Sequence, residues 1–303
     1  MKFPIILFVT TLFFSNLKTA AQSDAALAEN NRIFSSIMSY DITEAERIGQ
    51  LEKYLPITYF AQNSYGILSA AVGTRSMSFI NYILSKPGIN AAELAPTTQE
   101  SILYNLPWDN YKVVQAGTCI KTDTLGPLRK QITELLMSKG ASLTHVDANG
   151  NNVISRGVAN SDIGFLEYVY ATNGNKLIPV PNLLYTGCSY GCVDVVKWLV
   201  EHGENVNAPN SYEGSAIGSS VSKPSIVRYL ISKGANVNQA NKYNWSPLMY
   251  AANRGNMETV QMLLDAGADI NAVNDKGWNA LQVAKEYKQK DVAKLLKQKM
   301  EGK

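Results

Sequence analysis

Histidine is scarce in this chain, with two residues in 303, and cysteine is little more frequent, with three. No histidine precedes His145, and neither a GxSxG nucleophile motif nor a glycine-rich phosphate loop occurs, so hydrolytic and phosphate-handling chemistry lack their usual groups. Charge is sparse as well: 17% of residues are charged against 46% hydrophobic, which excludes a disordered chain and supplies a folded body. The formal net charge of +3 would fall to +1 if residues 1–21 were removed with Lys2 and Lys18. A surface so close to neutral has no basic stripe to hold nucleic acid. Long apolar runs are missing after Phe14, and none approaches the ~20 residues of a membrane span.

The start of the chain is patterned differently. Lys2 precedes an apolar run from Phe3 to Phe14, and Thr19-Ala20-Ala21 places small residues where a signal peptidase cuts. The expected signal segment is 1–21, with a mature chain that begins at Gln22, is exported, and resides in a periplasm or outside the cell. An uncleaved anchor is the competing reading, but the run is short for one. No cysteine stands at the cleavage point, so a lipid-anchored form has no attachment residue.

From the middle of the chain onward a period emerges. "NWSPLMYAANRGN" at 244–256 is answered by "GWNALQVAKEYKQ" at 277–289, a shift of 33 residues that also relates Asn241 to Asn274. Pro247 suits the first turn of a helix, where its missing N–H would be unpaired anyway, and Ala251 and Ala252 let another helix approach closely. Val260, Leu263 and Leu264 form the apolar stripe of a second helix, which Gly267 ends. The unit is helix, turn, helix, finger.

These residues are similar to the ankyrin repeat. The family pattern DxxGxTPLHxAA is met by Asn241, Asn244, Ser246, Pro247, Leu248, Met249, Ala251 and Ala252, with Asn for the opening Asp, Asn for the turn Gly and Met for the His. The resemblance implies an all-α solenoid of about six to seven helix-turn-helix units with short finger loops and helical caps.

Helix-ending glycines recur at Gly140, Gly174, Gly203, Gly234 and Gly267. "GCVDVVKWLVEHGENVN" and "PSIVRYLISKGANVN" carry the second helix and finger, whereas 147–174 keeps mainly Gly150, Ile154, Phe165, Leu166 and Val169. A degenerate unit fits 64–90 through Leu68, Ala71, Ile80 and Leu84, and an insertion is expected at 91–110. Ile33, Ile37, Ile48, Leu51 and Leu55 mark a helical cap over 22–63. The solenoid is expected to fill 64–303, divergent over 64–146 and clearer over 147–303, as one continuous body. Lys285, Lys288 and Lys297 replace small or apolar residues in the last unit, as a terminal cap facing water requires.

Neither histidine reads as catalytic. His202 occupies the helix-end position filled by Lys233 and Ala266 in neighbouring units, where the helix dipole favours it. His145 stands two residues before Asp147 in a finger, so an orienting contact between them is conceivable without any nucleophile to serve. Cys188 and Cys192 are close enough for a local disulfide in an oxidising compartment, or else are two thiols filling small-residue positions. Cys119 lies two units away, ~20 Å at one helix diameter per repeat, so zinc lacks its ligands. No cofactor or metal is expected.

In proteins with such repeats, partners touch the finger tips and the exposed ends of the first helices. By that resemblance the contact residues are Tyr190, Tyr212, Lys242, Tyr243, Trp245, Arg254, Lys276, Trp278 and Tyr287. Tyr, Trp and Arg dominate hot spots because they bury large areas with few rotors. Trp245 and Trp278 also occupy positions where the family packs one finger on the next. The expectation is a monomeric, non-enzymatic module holding or inhibiting another exported protein, without nucleic acid. A second reading places an enzymatic or small-ligand site in the divergent region 30–140, with the repeats as a specificity arm.

Overall fold

The computed structural model describes residues 20–39, 42–55, 59, 64–93, 101–105, 113–114, 118–119, 126–174, 180, 182–190, 192–210 and 214–302. The expected signal segment lies outside them, save Ala20 and Ala21. Among the described residues no helix is long and apolar enough to cross a membrane. The chain divides into two compact units, Met1–Glu93 and Leu94–Lys303. The continuous solenoid expected over 64–303 is therefore divided after Glu93, where the following "LAPTTQE" has no counterpart in the repeat pattern.

In the first unit, α1 (Ala20–Ser39) packs on α2 (Glu44–Tyr54), and α3 (Ser64–Gly73) packs on α4 (Met77–Leu84). Ile33, Phe34, Ile37, Leu51 and Leu55 are buried, as the amphipathic spacing requires, and Tyr59 donates its hydroxyl to Asn31 Oδ1 at 2.8 Å. Thr43 and Glu46 form a reciprocal capping box at the start of α2. Glu44 accepts from the hydroxyls of Ser76, at 2.6 Å, and Ser78; these bonds hold its carboxyl below the usual range.

Pro127, Pro224 and Pro247 each open a helix of the second unit. A 3₁₀ turn, Ile102–Asn105, precedes a two-residue antiparallel ladder of β1 (Val113–Val114) and β2 (Thr118–Cys119). Helices α5 (Pro127–Ser138), α6 (Val153–Ala159), α7 (Ile163–Thr172), α8 (Leu183–Tyr190) and α9 (Val193–Glu201) follow. After them come α10 (Ala216–Ser219), α11 (Pro224–Ser232), α12 (Pro247–Arg254), α13 (Met257–Asp265), α14 (Ala280–Glu286) and α15 (Lys290–Met300). The first helices α6, α8, α10, α12 and α14 pack in one row, and the second helices α7, α9, α11, α13 and α15 pack in another. Their apolar stripes meet between the rows: Val158, Leu166, Leu184, Val196, Ile217, Leu230, Leu248, Leu263 and Val283 are all buried. Apart from the short ladder, the described residues of this unit form an all-α solenoid.

The 3₁₀ turn packs against α5 and α6 with Ile102 and Leu103 buried, and so takes the place of a first helix. Part of the stretch 91–110 read as an insertion is thus inside the stack. At the other end, Lys285, Lys288 and Lys297 are exposed, and α15 buries only Val292 and Leu296.

One asparagine ladder sets the spacing of the fingers. Asn207 Nδ2 donates to Gly234 O at 3.0 Å while its Oδ1 accepts from Asn236 N at 2.7 Å. One repeat later, Asn238 does the same with Gly267 O at 3.1 Å and Asp269 N at 2.8 Å. Each bond joins an orphan carbonyl or amide at a helix end to the neighbouring finger. The glycines that end the second helices all have positive φ, from +68° at Gly174 to +105° at Gly203.

Gly255 ends α12 in the left-handed region at φ +70°, and a Cβ there would collide with Gln289 Oε1. Gln289 Nε2 donates to Asn253 O at 3.0 Å, tying two units together. Gly255→Ala is expected to cost about 1–2 kcal/mol in urea unfolding, from backbone strain and displacement of Gln289. An unchanged midpoint would show that the position tolerates the side chain.

A tyrosine-rich groove as candidate functional site

Each finger turn is held by the side-chain oxygen of one Asn or Asp. Asn241 Oδ1 accepts from Tyr243 N and Trp245 N, both at 2.9 Å, and Asn274 Oδ1 accepts from Lys276 N at 2.9 Å and Trp278 N at 3.1 Å. Asp147 Oδ1 accepts from Asn149 N and Asn151 N, both at 2.8 Å. The shared geometry makes Asp147 the finger-turn residue of its unit rather than an orienting partner for His145.

The row of first helices and the finger 241–245 enclose a groove of about 650 Å³. Tyr185, Ser189 and Tyr190 line it from α8, Gly218 and Ser219 from α10, and Tyr250, Asn253 and Arg254 from α12; Gly214, Asn241, Tyr243, Trp245 and Tyr287 are also among its lining. Its hollow comes from α10, only four residues long, where small side chains sit between tyrosines of the flanking repeats. A Cβ on Gly218 would lie 3.6 Å from the Tyr250 ring, and one on Gly214 would lie 3.5 Å from the Tyr185 ring. Larger residues there would fill the hollow.

Asn241 also fixes the groove wall, since its Nδ2 donates to the Tyr250 hydroxyl at 2.8 Å. Burial pushes that hydroxyl above its ordinary range, Tyr185 adds to the effect, and the Asn241 bond partly offsets it. The Trp245 ring tilts against Tyr250 with centroids 5.4 Å apart. Tyr190 is 67% exposed, Tyr243 50% and Tyr287 49%, large apolar areas open to solvent on one surface. Among the described residues, Arg254 is the one formally charged side chain that lines the groove.

Five of the residues selected from the sequence, Tyr190, Tyr243, Trp245, Arg254 and Tyr287, are brought together there. Lys242, Lys276 and Trp278 are not among the lining residues. Lys242 Nζ lies 4.9 Å from the Tyr243 ring centroid and Lys276 Nζ lies 5.0 Å from that of Trp278. Tyr212 lies outside the described residues. Sequence reasoning missed Tyr185 and Tyr250, whose places on the inner face follow from the helical spacing of Cys188 and Leu248. It also missed the hollow, although "GSAIGSS" stands where the neighbouring unit has "WSPLMYA".

His202 is a packing residue. Its ring stacks on Trp198 at 4.2 Å and meets Tyr170 edge-on at 4.5 Å, with Nδ1 2.7 Å from Trp198 O. Trp198 Nε1 donates to Glu167 Oε1 at 2.6 Å. Among the described residues, no group of three or more His, Cys, Asp or Glu is arranged to hold a metal ion.

The cysteines depart from expectation. Cys188 is a free, buried thiol and Cys192 is disulfide-bonded, so the local pairing of Cys188 with Cys192 is not made. Burial pushes the Cys188 thiol up to about 12, as suits a small side chain used for packing. Lys223 Nζ closes the end of α8 by donating to Cys188 O at 3.2 Å and Ser189 O at 2.8 Å. The expected separation of Cys119 from this unit fails too: β2 packs against α9, because the ladder belongs to residues in excess of the repeat and is not bound by its spacing.

No curated protein matches the chain. A family model of ankyrin repeats in three copies matches residues 215–302, and one of a single ankyrin repeat matches residues 182–211. Both matches cover the helix pairs that build the groove, and the chain accordingly carries ankyrin repeats over these residues.

Proposed function

We propose that this protein is exported and uses its groove to hold or inhibit another exported protein, as an adaptor, an immunity-like factor or a stabiliser, without catalysing a reaction. An ankyrin array is a protein–protein interaction module, and the observation that carries the finer reading is the groove's composition. Tyr190, Tyr243, Tyr287 and Arg254 converge on one open surface, and large aromatic and Arg side chains are what an interface core uses. Arg254 favours a carboxylate on the partner, since among the described residues no acidic side chain lines the groove to compete for it. Affinity capture by the mature protein from the envelope and medium fractions tests this, with binding measured on the recovered protein. A partner whose affinity ignores the groove residues would overturn the reading.

Export rests on the sequence from Lys2 to Ala21, and the disulfide at Cys192 supports it, since such bonds persist in oxidising compartments. The mature product is expected to begin at Gln22. N-terminal sequencing that found Met1 retained on a membrane-bound product would contradict export by cleavage.

A further inference from the structure

Two of the second helices of this solenoid start on a capping side chain. Asp162 caps α7 by accepting from Phe165 N at 3.1 Å, and Asn256 caps α13 by accepting from Thr259 N at 3.0 Å. At the same place before α9 stands Cys192, fully buried, with extended φ and ψ of −107° and 172° and no side-chain cap bond. Like Lys223 before α11 and Gln289 before α15, it gives the helix no side-chain cap, but here the buried position holds a sulfur.

That sulfur is in a disulfide, and Cys188, four positions earlier, is not. The chain has one other cysteine, Cys119, in β2. The backbone of β2 packs against α9, the helix that Cys192 begins.

We infer that Cys119 is the partner of Cys192, and that this bond pins the β1–β2 ladder at the turn between α8 and α9, two residues beyond groove-lining Tyr190. The ladder belongs to neither of the two helical rows. Its short backbone pairing is Val113 with Cys119 and Val114 with Thr118, too little to be stable by itself. A covalent link across 73 residues restricts the unfolded chain and fixes the segment to the solenoid. The Cys119 and Cys192 thiols lose two protons and two electrons to the disulfide of a thiol oxidoreductase, which leaves as its dithiol. Cys188 does not compete for either sulfur, because it is fully buried and its thiolate is scarce at neutral pH.

The test is a peptide map of the full exported chain, alkylated under denaturing, non-reducing conditions. Trypsin leaves Cys188 and Cys192 on one peptide, 177–197, so chymotryptic cleavage after Tyr190 is needed to separate them. Peptide 113–121 joined to the fragment carrying Cys192, with only Cys188 alkylated, is the expected result. Alkylated Cys119, a Cys188–Cys192 bridge, a bridge between two chains, or three free thiols would each overturn it. Pinning has its own readout: native tryptic cleavage at Lys112 and Lys121 should speed up about tenfold in Cys119→Ser and in Cys192→Ser, and not in Cys188→Ala. Equal rates in all four proteins would show that the bond does not hold the segment.

Discussion

Asp162→Ala should lower the stability of the solenoid by about 3–5 kcal/mol, measured by urea unfolding with far-UV circular dichroism. Asp162 is fully buried and receives both terminal nitrogens of Arg129, Nη1 at 2.6 Å and Nη2 at 2.9 Å, while its Oδ1 also caps α7. Arg129 is 8% exposed, with its guanidinium 5.9 Å from the Phe165 ring centroid. Removing the carboxylate leaves that guanidinium buried beside an uncapped helix. Exposed pairs such as Arg228 with Glu258, at 2.8 Å, should be worth under ~1 kcal/mol by comparison. A loss below ~1 kcal/mol in Asp162→Ala would mean that water or backbone replaces the carboxylate.

Tyr243→Ala combined with Arg254→Ala should weaken binding of the captured partner by about 2–4 kcal/mol, some 30- to 1,000-fold in Kd. Both side chains stand in the open groove, so unfolding should be nearly unchanged. Trp245→Ala differs, because Trp245 is half-buried against Tyr250 and should cost stability along with affinity. Arg228→Ala, on the second-helix row, serves as the control and should leave binding intact. A double variant that binds as the parent does would place the partner elsewhere, with 91–110 the first stretch to examine.

What the sequence reveals and what it hides follow from one property of the solenoid. Features that recur with the period were legible: the helix-ending glycines, the apolar stripes, Pro247, Ala251 and Ala252, and the finger positions of Asn241 and Asn274. From them the aromatic groove residues follow, since stacking in register puts Tyr190, Tyr243 and Tyr287 on one side. Features that break the period were not legible. The ion pair of Arg129 with Asp162 joins two divergent units, one of which has a 3₁₀ turn in place of its first helix. The position of β2 against α9 depends on excess residues that no repeat spacing constrains. The division after Glu93 and the hollow over α10 likewise arise where repeat residues are missing or unusually small.

Site-specific photo-crosslinking tests the groove most directly. A benzophenone side chain placed at Tyr190 or Tyr287 should form adducts with the partner, because both positions project from the groove lining and are more than two-fifths exposed. The same probe at Lys197 or Arg228, on the second helices, should form none. Adducts from Lys197 or Arg228 with none from Tyr190 and Tyr287 would contradict the assignment of the groove as the partner-binding surface.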